Sequence, residues 1–446
     1  MALGGGIWTT QNKILPGTYI NFSSVARASA TLSERGYAAM PLMLDWGPEG
    51  EVFTVTNGDF QKDSLKIFGY AYADPAMLPL RELFQYTQTL YAYRLNSGGV
   101  KASNTYCEAK YSGTVGNKLQ TVISKNVDND ELYDVGTYYG TDLLDVQTVS
   151  AATELKANDF VTFKTTATLT ETDSTPLTGG TNGTAQSSAF QTFLDKIESY
   201  SFNTLGCPSG DTTTINLFVN FTKRMCDEVG AKFQTVVFNL FGNDKVADYE
   251  GVIEVGNAVT GYDSNLAGFG SFGLVYWMTG ASAGCAVNKS NTNKRYDGEL
   301  TVNVDFTQAQ LEQGITAGRL MFHNVNGEVR ILEDVNSLVT TSDTKGDVFK
   351  SNQTIRVCDQ IANDAAVLFN TRYLGVVPND AAGRTSLWND ICKLHQDLES
   401  IRALEDFDPE TVTVVQGDTK KSVLCNIENL NIVNAMSQLY MSVIIA

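Results

Sequence analysis

Histidine is almost missing from this chain: two in 446 residues, His323 and His395. With so few imidazoles, a zinc site or a catalytic triad has little to be built from. The seven cysteines (107, 207, 226, 285, 358, 392 and 425) form no C-x-x-C pair. Their odd, scattered number reads as free, mostly buried thiols in a reducing compartment. No stretch approaches about 18 unbroken apolar residues, so no membrane span is expected. Basic clusters are lacking as well. Acids number 50 against 32 bases, for a net charge of −18, which speaks against direct nucleic-acid binding. The opening MALGGGIWTTQNK lacks the basic-then-apolar pattern of a secretory signal, so synthesis in the cytoplasm without export is expected. Catalytic residues, cofactors and metals are all expected to be none.

What the chain does have is 43% hydrophobic residues, enough for several cores. Residues 1–26 read as an arm. Gly4, Gly5 and Gly6 cannot build a core, and KILPGTYINF is an extended segment suited to a sheet edge. Residues 27–99 read as the first part of an α/β domain. It holds a buried strand in GYAAMPLMLDWG, a short helix with Leu80, Leu83 and Phe84 on one face, and a strand in LYAYRLNSGG.

Composition shifts near residue 100. From Val100 to Thr184 there is no arginine, and Thr, Val and Tyr dominate stretches of period two such as LQTVISKNV. An inserted all-β sandwich or barrel is expected over 100–184. Its glycine-rich exits, ending in TPLTGGTNGTAQSS, predict a peripheral domain on a flexible linker. Strands and helices then alternate over 185–345. FQTVVFNLFG is dominated by apolar residues, as in a buried parallel sheet, so a three-layer α/β domain is expected. Residues 346–446 open on a long helix. A second, over 385–406, carries the stripe Leu387, Ile391, Leu394, Leu398, Ile401 and Leu404. TVTVVQGD and KSVLCNIENLN then read as a hairpin. The fold class is therefore α/β and α+β multidomain: a central three-layer α/β domain, an inserted β domain and a C-terminal α+β domain.

Three motifs invite catalytic readings. GFGSFG (268–273) matches G-x-G-x-x-G, but no strand ends immediately before it and no acid closes a following strand. A loop before a helix is the better account. GASAG (280–284) matches G-x-S-x-G, yet LVYWMT places Ser282 inside a helix and not at a strand-to-helix elbow. Small residues at that spacing let another element come close. His323 belongs to a hairpin around Asn326–Gly327, and His395 sits beside Leu394 near the charged face of the last helix. Neither has a second ligand at metal spacing.

The final residues, QLYMSVIIA, pose a different question. Leu439, Met441, Val443 and Ile445 alternate with Tyr440, Ser442 and Ile444, so both faces of this strand are largely apolar. Such an edge is an aggregation hazard that soluble proteins blunt with charge or proline.

The segment IENLNIVNAMSQLYMSVIIA resembles the C-terminus of contractile tail sheath proteins. FNTRYLGVVPNDAAGR is similar to that family's helix-to-loop segment, with Val376 where lysine is common, and LPGTYINF resembles its N-terminal arm. The resemblance spans essentially the whole chain, most specifically at the two termini. It implies a sheath subunit of a phage tail or phage-derived bacteriocin of Gram-positive type, assembled in the host bacterial cytoplasm. It implies a subtilisin-like central topology without an active site. It implies stacked hexameric rings around a tail tube, with baseplate and terminator proteins as further partners, and contraction that drives the tube through a bacterial envelope.

The resemblance also implies strand exchange between subunits. Ile14, Leu15, Tyr19, Ile20 and Phe22 from one end, and Leu439, Tyr440, Met441, Val443, Ile444 and Ile445 from the other, would add to a neighbour's sheet. Ser23, Ser24, Asn434 and Ser437 would be hinges. Arg384, Lys393 and Arg402 are candidates to face the tube. The alternatives are an α/β hydrolase, which needs Ser282 exposed beside a histidine, or a static tail structural protein.

Overall fold

The computed structural model describes residues 32–264, Leu266 and 268–445. Ile14, Leu15, Tyr19, Ile20, Phe22, Ser23 and Ser24 lie outside the described residues. The described chain divides into two compact units. Residues 33–363, 398–407 and 430–445 form the larger; 364–397 and 408–429 form the smaller.

The larger unit is organised by a seven-stranded sheet. Its order is Arg319–Leu320, Val252–Val255, Gln234–Phe238, Thr204–Gly206, Tyr37–Leu42, Thr89–Arg94 and Val52–Thr56. All neighbours are parallel except Val52–Thr56, which runs antiparallel on Thr89–Arg94. A parallel sheet is covered on both faces, which is why AAMPL, TVVF and VIEV are largely apolar; the exception Glu254 is buried with the Asn239 side chain, the Ala247 amide and Arg319 as partners. Successive side chains still divide between two cores. Ala38, Met40, Val236 and Ile253 join one; Ala39, Leu205, Val237 and Val252 join the other.

Helices complete three layers. Phe60 of helix Asn57–Phe68, Leu83 of Leu78–Phe84 and Trp277 of Leu274–Ala283 fill the first core. Phe193 of Ala189–Ile197 and Phe218 of Thr212–Lys223 fill the second. The helix starts follow local chemistry. Thr56 and Asp59 form a capping box, and Asp211 accepts from the Thr214 amide. Helix Leu274–Ala283 is buried at all ten positions, which explains why its sequence has no polar face.

The inserted domain is a β-sandwich. One sheet has the order Thr172–Pro176, Leu119–Lys125, Tyr133–Tyr139 and Asp142–Val149, and Cys107–Ala109 pairs with Val161–Phe163. Ile123, Val135, Val161 and Leu177 are buried between them.

Its attachment is tight, contrary to the expected flexible linker. Thr184–Ala185 pairs antiparallel with Asn96–Ser97. Arg94, fully buried, donates to the carbonyls of Gly47, Ser112 and Asn182. Trp46, also fully buried, packs edge-on to Tyr111 at 5.3 Å within the sandwich core. Gly183 has φ +70°, and a Cβ there would lie 2.2 Å from the Ser97 carbonyl oxygen. The glycine is required by close approach of two backbones, not by mobility.

In the smaller unit, the hairpin Val412–Gln416/Val423–Ile427 forms as expected, with Val414 opposite Cys425. Trp388 Nε1 donates to Val412 O at 2.9 Å, and Asn379 Nδ2 donates to Ser422 O at 2.8 Å. The long helix runs Ala381–Ser400 and not 385–406. Leu387, Ile391, Leu394 and Leu398 are buried as the stripe requires. Ile401 and Leu404 leave the helix: Arg402 turns left-handed at φ +60°, and Leu404 enters a short strand.

Candidate assembly interface

Residues 403–435 bring the chain to a defined exit point. Leu404–Glu405 pairs antiparallel with Asn431–Ile432, and the Val433 amide donates to Ala403 O at 3.0 Å. The first turn of helix Asn352–Leu368 then takes hold of the chain. Gln353 Nε2 donates to Val433 O at 3.0 Å, and the Ala435 amide donates back to Gln353 Oε1 at 2.9 Å. Ser351 Oγ donates to Asn434 Oδ1 at 3.0 Å, and Asn434 Nδ2 donates to Thr354 Oγ1 at 3.1 Å. Asn434, expected as a hinge residue, is thus held on both sides.

Beyond Ala435 the restraint ends. Residues 436–445 form no strand and are exposed throughout. Leu439 is 86% and Ile444 93% exposed, and Tyr440, Met441, Val443 and Ile445 are similarly bare. Within this stretch Tyr440 OH donates to Gln438 Oε1 at 2.9 Å. Ser437 sits at the start of this stretch, beside a cleft of about 460 Å³ lined by Ser290, Asp334, Lys350 and Asn434. A run of large apolar side chains held in water is unfavourable by about 1.5–3 kcal/mol for each that could be buried.

The hairpin Val412–Ile427 offers the complementary feature. Among the described residues its two strands pair only with each other, so neither outer edge is taken by another strand, although Trp388 covers the Val412 carbonyl. Val415 and Leu424 on it are about half exposed.

The candidate cations are dispersed. Arg384 lies in the first turn of helix Ala381–Ser400, where Nη1 donates to Asn379 O and Oδ1, both at 3.1 Å. Lys393 is exposed on the same helix, and Arg402 is exposed beyond its end.

The catalytic motifs resolve into packing. Ser282 lies in the last turn of helix Leu274–Ala283, 1% exposed, and its hydroxyl has no hydrogen-bond partner. Its carbonyl accepts from Arg35 Nη2 at 3.2 Å. GFGSFG is the loop before that helix, with Gly273 at the cap position. His323 pairs across its hairpin with Arg330; burial and then the Arg330 charge keep its pKa below the ordinary value. His395 is buried, with Nδ1 at 2.8 Å from Ile391 O. The sequence places it beside Leu394 near the charged face of the helix, between Lys393 and Asp397, and the ring is buried with Leu394. Among the described residues no three His, Cys, Asp or Glu side chains stand close enough to hold a metal, and no helix is long and apolar enough to cross a membrane.

Comparison with known proteins decides the family. Residues 35–95 match the model of the tail sheath protein Gp18 domain III N-terminal region, and 97–182 the phage tail sheath protein beta-sandwich domain. Residues 180–337 match the phage tail sheath protein central domain, and 344–446 the phage tail sheath C-terminal domain. The chain belongs to the phage tail sheath proteins. The phage-like element PBSX protein XkdK of Bacillus subtilis is 33% identical over 391 residues, covering 81% of each chain. The sheath tail protein of Desulfitobacterium hafniense is 35% identical, with a TM-score of 0.76 over 90% of this chain and 93% of that one. The helical sheath of the anti-feeding prophage in its contracted state is 13% identical, with a TM-score of 0.58 over 96% and 99%, a likeness of fold. This tail sheath subunit thus belongs to a family of structural proteins of virion tails and phage-like particles.

Proposed function

We propose that this sheath protein polymerises as stacked rings of six around a rigid tail tube and contracts to drive that tube through a bacterial envelope. Baseplate and terminator proteins would bound the polymer, and its subunits would assemble in the host cytoplasm. Neighbouring subunits are joined by strand exchange: residues 438–446 of one copy, and 14–22 of another, add to the free edges of the hairpin Val412–Ile427 in a third. The supporting observation is the bare segment 436–445, which leaves a root that the same chain holds firmly.

Burying Leu439, Met441, Val443 and Ile445 gains about 6–12 kcal/mol, and ordering nine residues costs about 9–18 kcal/mol. Hydrogen bonds of about 0.5–1.5 kcal/mol each bring one exchanged strand near balance. Several strands docking together on a tube gain effective concentration and hold. Free subunits therefore remain monomeric until a tube nucleates them. We read the central sheet as subtilisin-like in topology. No nucleotide motif is present, so contraction releases free energy stored at assembly. Ser23 and Ser24 act as hinge positions, as does the chain from Met436 to Ser437, while Arg384, Lys393 and Arg402 are offered to the tube.

The test is deletion of 436–446. Circular dichroism should show a folded chain, and negative-stain microscopy with tubes should show no sheath. Sheaths of normal length from the truncated protein would refute strand exchange.

A further inference from the structure

Helix Asn352–Leu368 carries Gln353 and Gln360, seven residues apart and so on one face, about 10.5 Å along the axis at 1.5 Å per residue. Both are buried. Gln353 holds the C-terminal root. The carbonyl of residue 433 and the amide of residue 435 lie on the same side of an extended chain, so one carboxamide satisfies both. Gln360 holds the other root: its Nε2 donates to Ser33 O at 3.3 Å. The helix is itself tied to the body. Asn363 accepts from the Lys232 amide at 3.2 Å and donates to Lys232 O at 2.8 Å, just ahead of strand Gln234–Phe238. Arg356, on the same helix, is paired with Asp334 at 2.6 Å with both side chains out of solvent.

We propose that the first turns of helix Asn352–Leu368 are a spacer that fixes the separation between the roots of the two exchanged segments, with Gln353 and Gln360 as its two grips. This rests on the strand-exchange reading. A subunit tethered to neighbours at both ends transmits their displacement through the distance between its tether points. If that distance is rigid, motion of one ring passes to the next without slack. A single helix serves this well, because its hydrogen-bonded backbone does not stretch. Gln353 and Gln360 are positioning residues: they act through where the segments leave the body.

The test begins on the monomer, where strand exchange is not needed. Nitroxide labels at S33C and A435C, on a C425S background, report root separation by double electron–electron resonance. The wild type should give one narrow distance distribution. Gln353→Ala and Gln360→Ala should each widen it while circular dichroism and Tm stay close to wild type. Gln353→Glu, which still accepts from Ala435 but cannot donate to Val433, should fall between. If an alanine variant does not fold, the glutamate variants at both positions carry the comparison. The same variants, assembled on tubes, should give sheaths with irregular ring spacing or loss of complete contraction. A wild-type distribution already broad, or unchanged in the variants, overturns the proposal. So does a widened distribution with ring spacing and contraction unaltered. Failure of strand exchange itself would show separately, as normal sheaths from the 436–446 deletion.

Discussion

A Cβ placed on Gly280 would lie 2.1 Å from the carbonyl oxygen of Leu83. The G-A-S-A-G stretch is thus where helix Leu274–Ala283 meets helix Leu78–Phe84, and the obstacle is backbone that cannot rotate away. Gly280→Ala should destabilise the chain by about 1–3 kcal/mol, the usual cost of overpacking. Ser282→Ala removes a buried hydroxyl that has no partner, so it should be neutral or slightly stabilising. Urea denaturation of both variants checks this; the reverse order would be inconsistent with the packing.

Much of this was legible in the sequence, and the exceptions have physical causes. Runs of large apolar residues such as VVF announced a covered parallel sheet, and alternation in QLYMSVIIA announced a segment with no partner. Glycines misled at Gly183, since the residue that loosens a linker also permits two backbones to touch. The end of helix Ala381–Ser400 was missed because Ile401 and Leu404 continue the helical spacing past the point where Arg402 turns left-handed. The grips on the C-terminal root were invisible, because Gln353 and Asn434 are far apart in the chain and carry no pattern.

The attachment of the sandwich gives a second prediction. Replacing 100–184 by a Gly/Ser linker would strip cover from Trp46 and leave Arg94 without the Ser112 and Asn182 carbonyls. A buried cation left with only part of its partners, here the Gly47 carbonyl and Glu49, is destabilising. The excised form should lose cooperative thermal unfolding or aggregate on expression. A stable, soluble product that still polymerises would show that the junction is dispensable.

The Arg356–Asp334 pair gives a third. Burial pushes the Asp334 carboxyl up, but the Arg356 guanidinium and hydrogen bonds from Asn291 and Asn352 hold it below the usual carboxylate range. A depressed acid contributes stability above its unfolded pKa and loses it as pH falls through the folded one. The contribution is therefore complete at neutral pH and disappears below about pH 4. Arg356→Met leaves a buried carboxylate unpaired and should cost about 3–5 kcal/mol at pH 7. The deficit should shrink in acid. A pH-independent deficit would place the effect in packing instead.

Glu82 runs the other way. Burial pushes its carboxyl up to about 7, although the Glu299 amide and Tyr296 hydroxyl donate to it. A raised acid binds its proton more tightly folded than unfolded, so stability falls as pH rises from about 4.5 to 7. Glu82→Gln should raise Tm at pH 8 and change it little at pH 5. Equal shifts at both pH values would exclude ionisation as the cause.

The position of strand Tyr37–Leu42 bears on how the molecule is made. It is an interior strand, yet one neighbour, Thr204–Gly206, is encoded beyond the whole sandwich. During translation, at about 5–20 residues per second, its open side waits for several seconds while that insertion is synthesised. The antiparallel pairing of Asn96–Ser97 with Thr184–Ala185 returns the chain to nearly the place it left. The inserted domain thereby turns a long wait into a short final search, and the growing polypeptide reaches its missing neighbour before a stray one does.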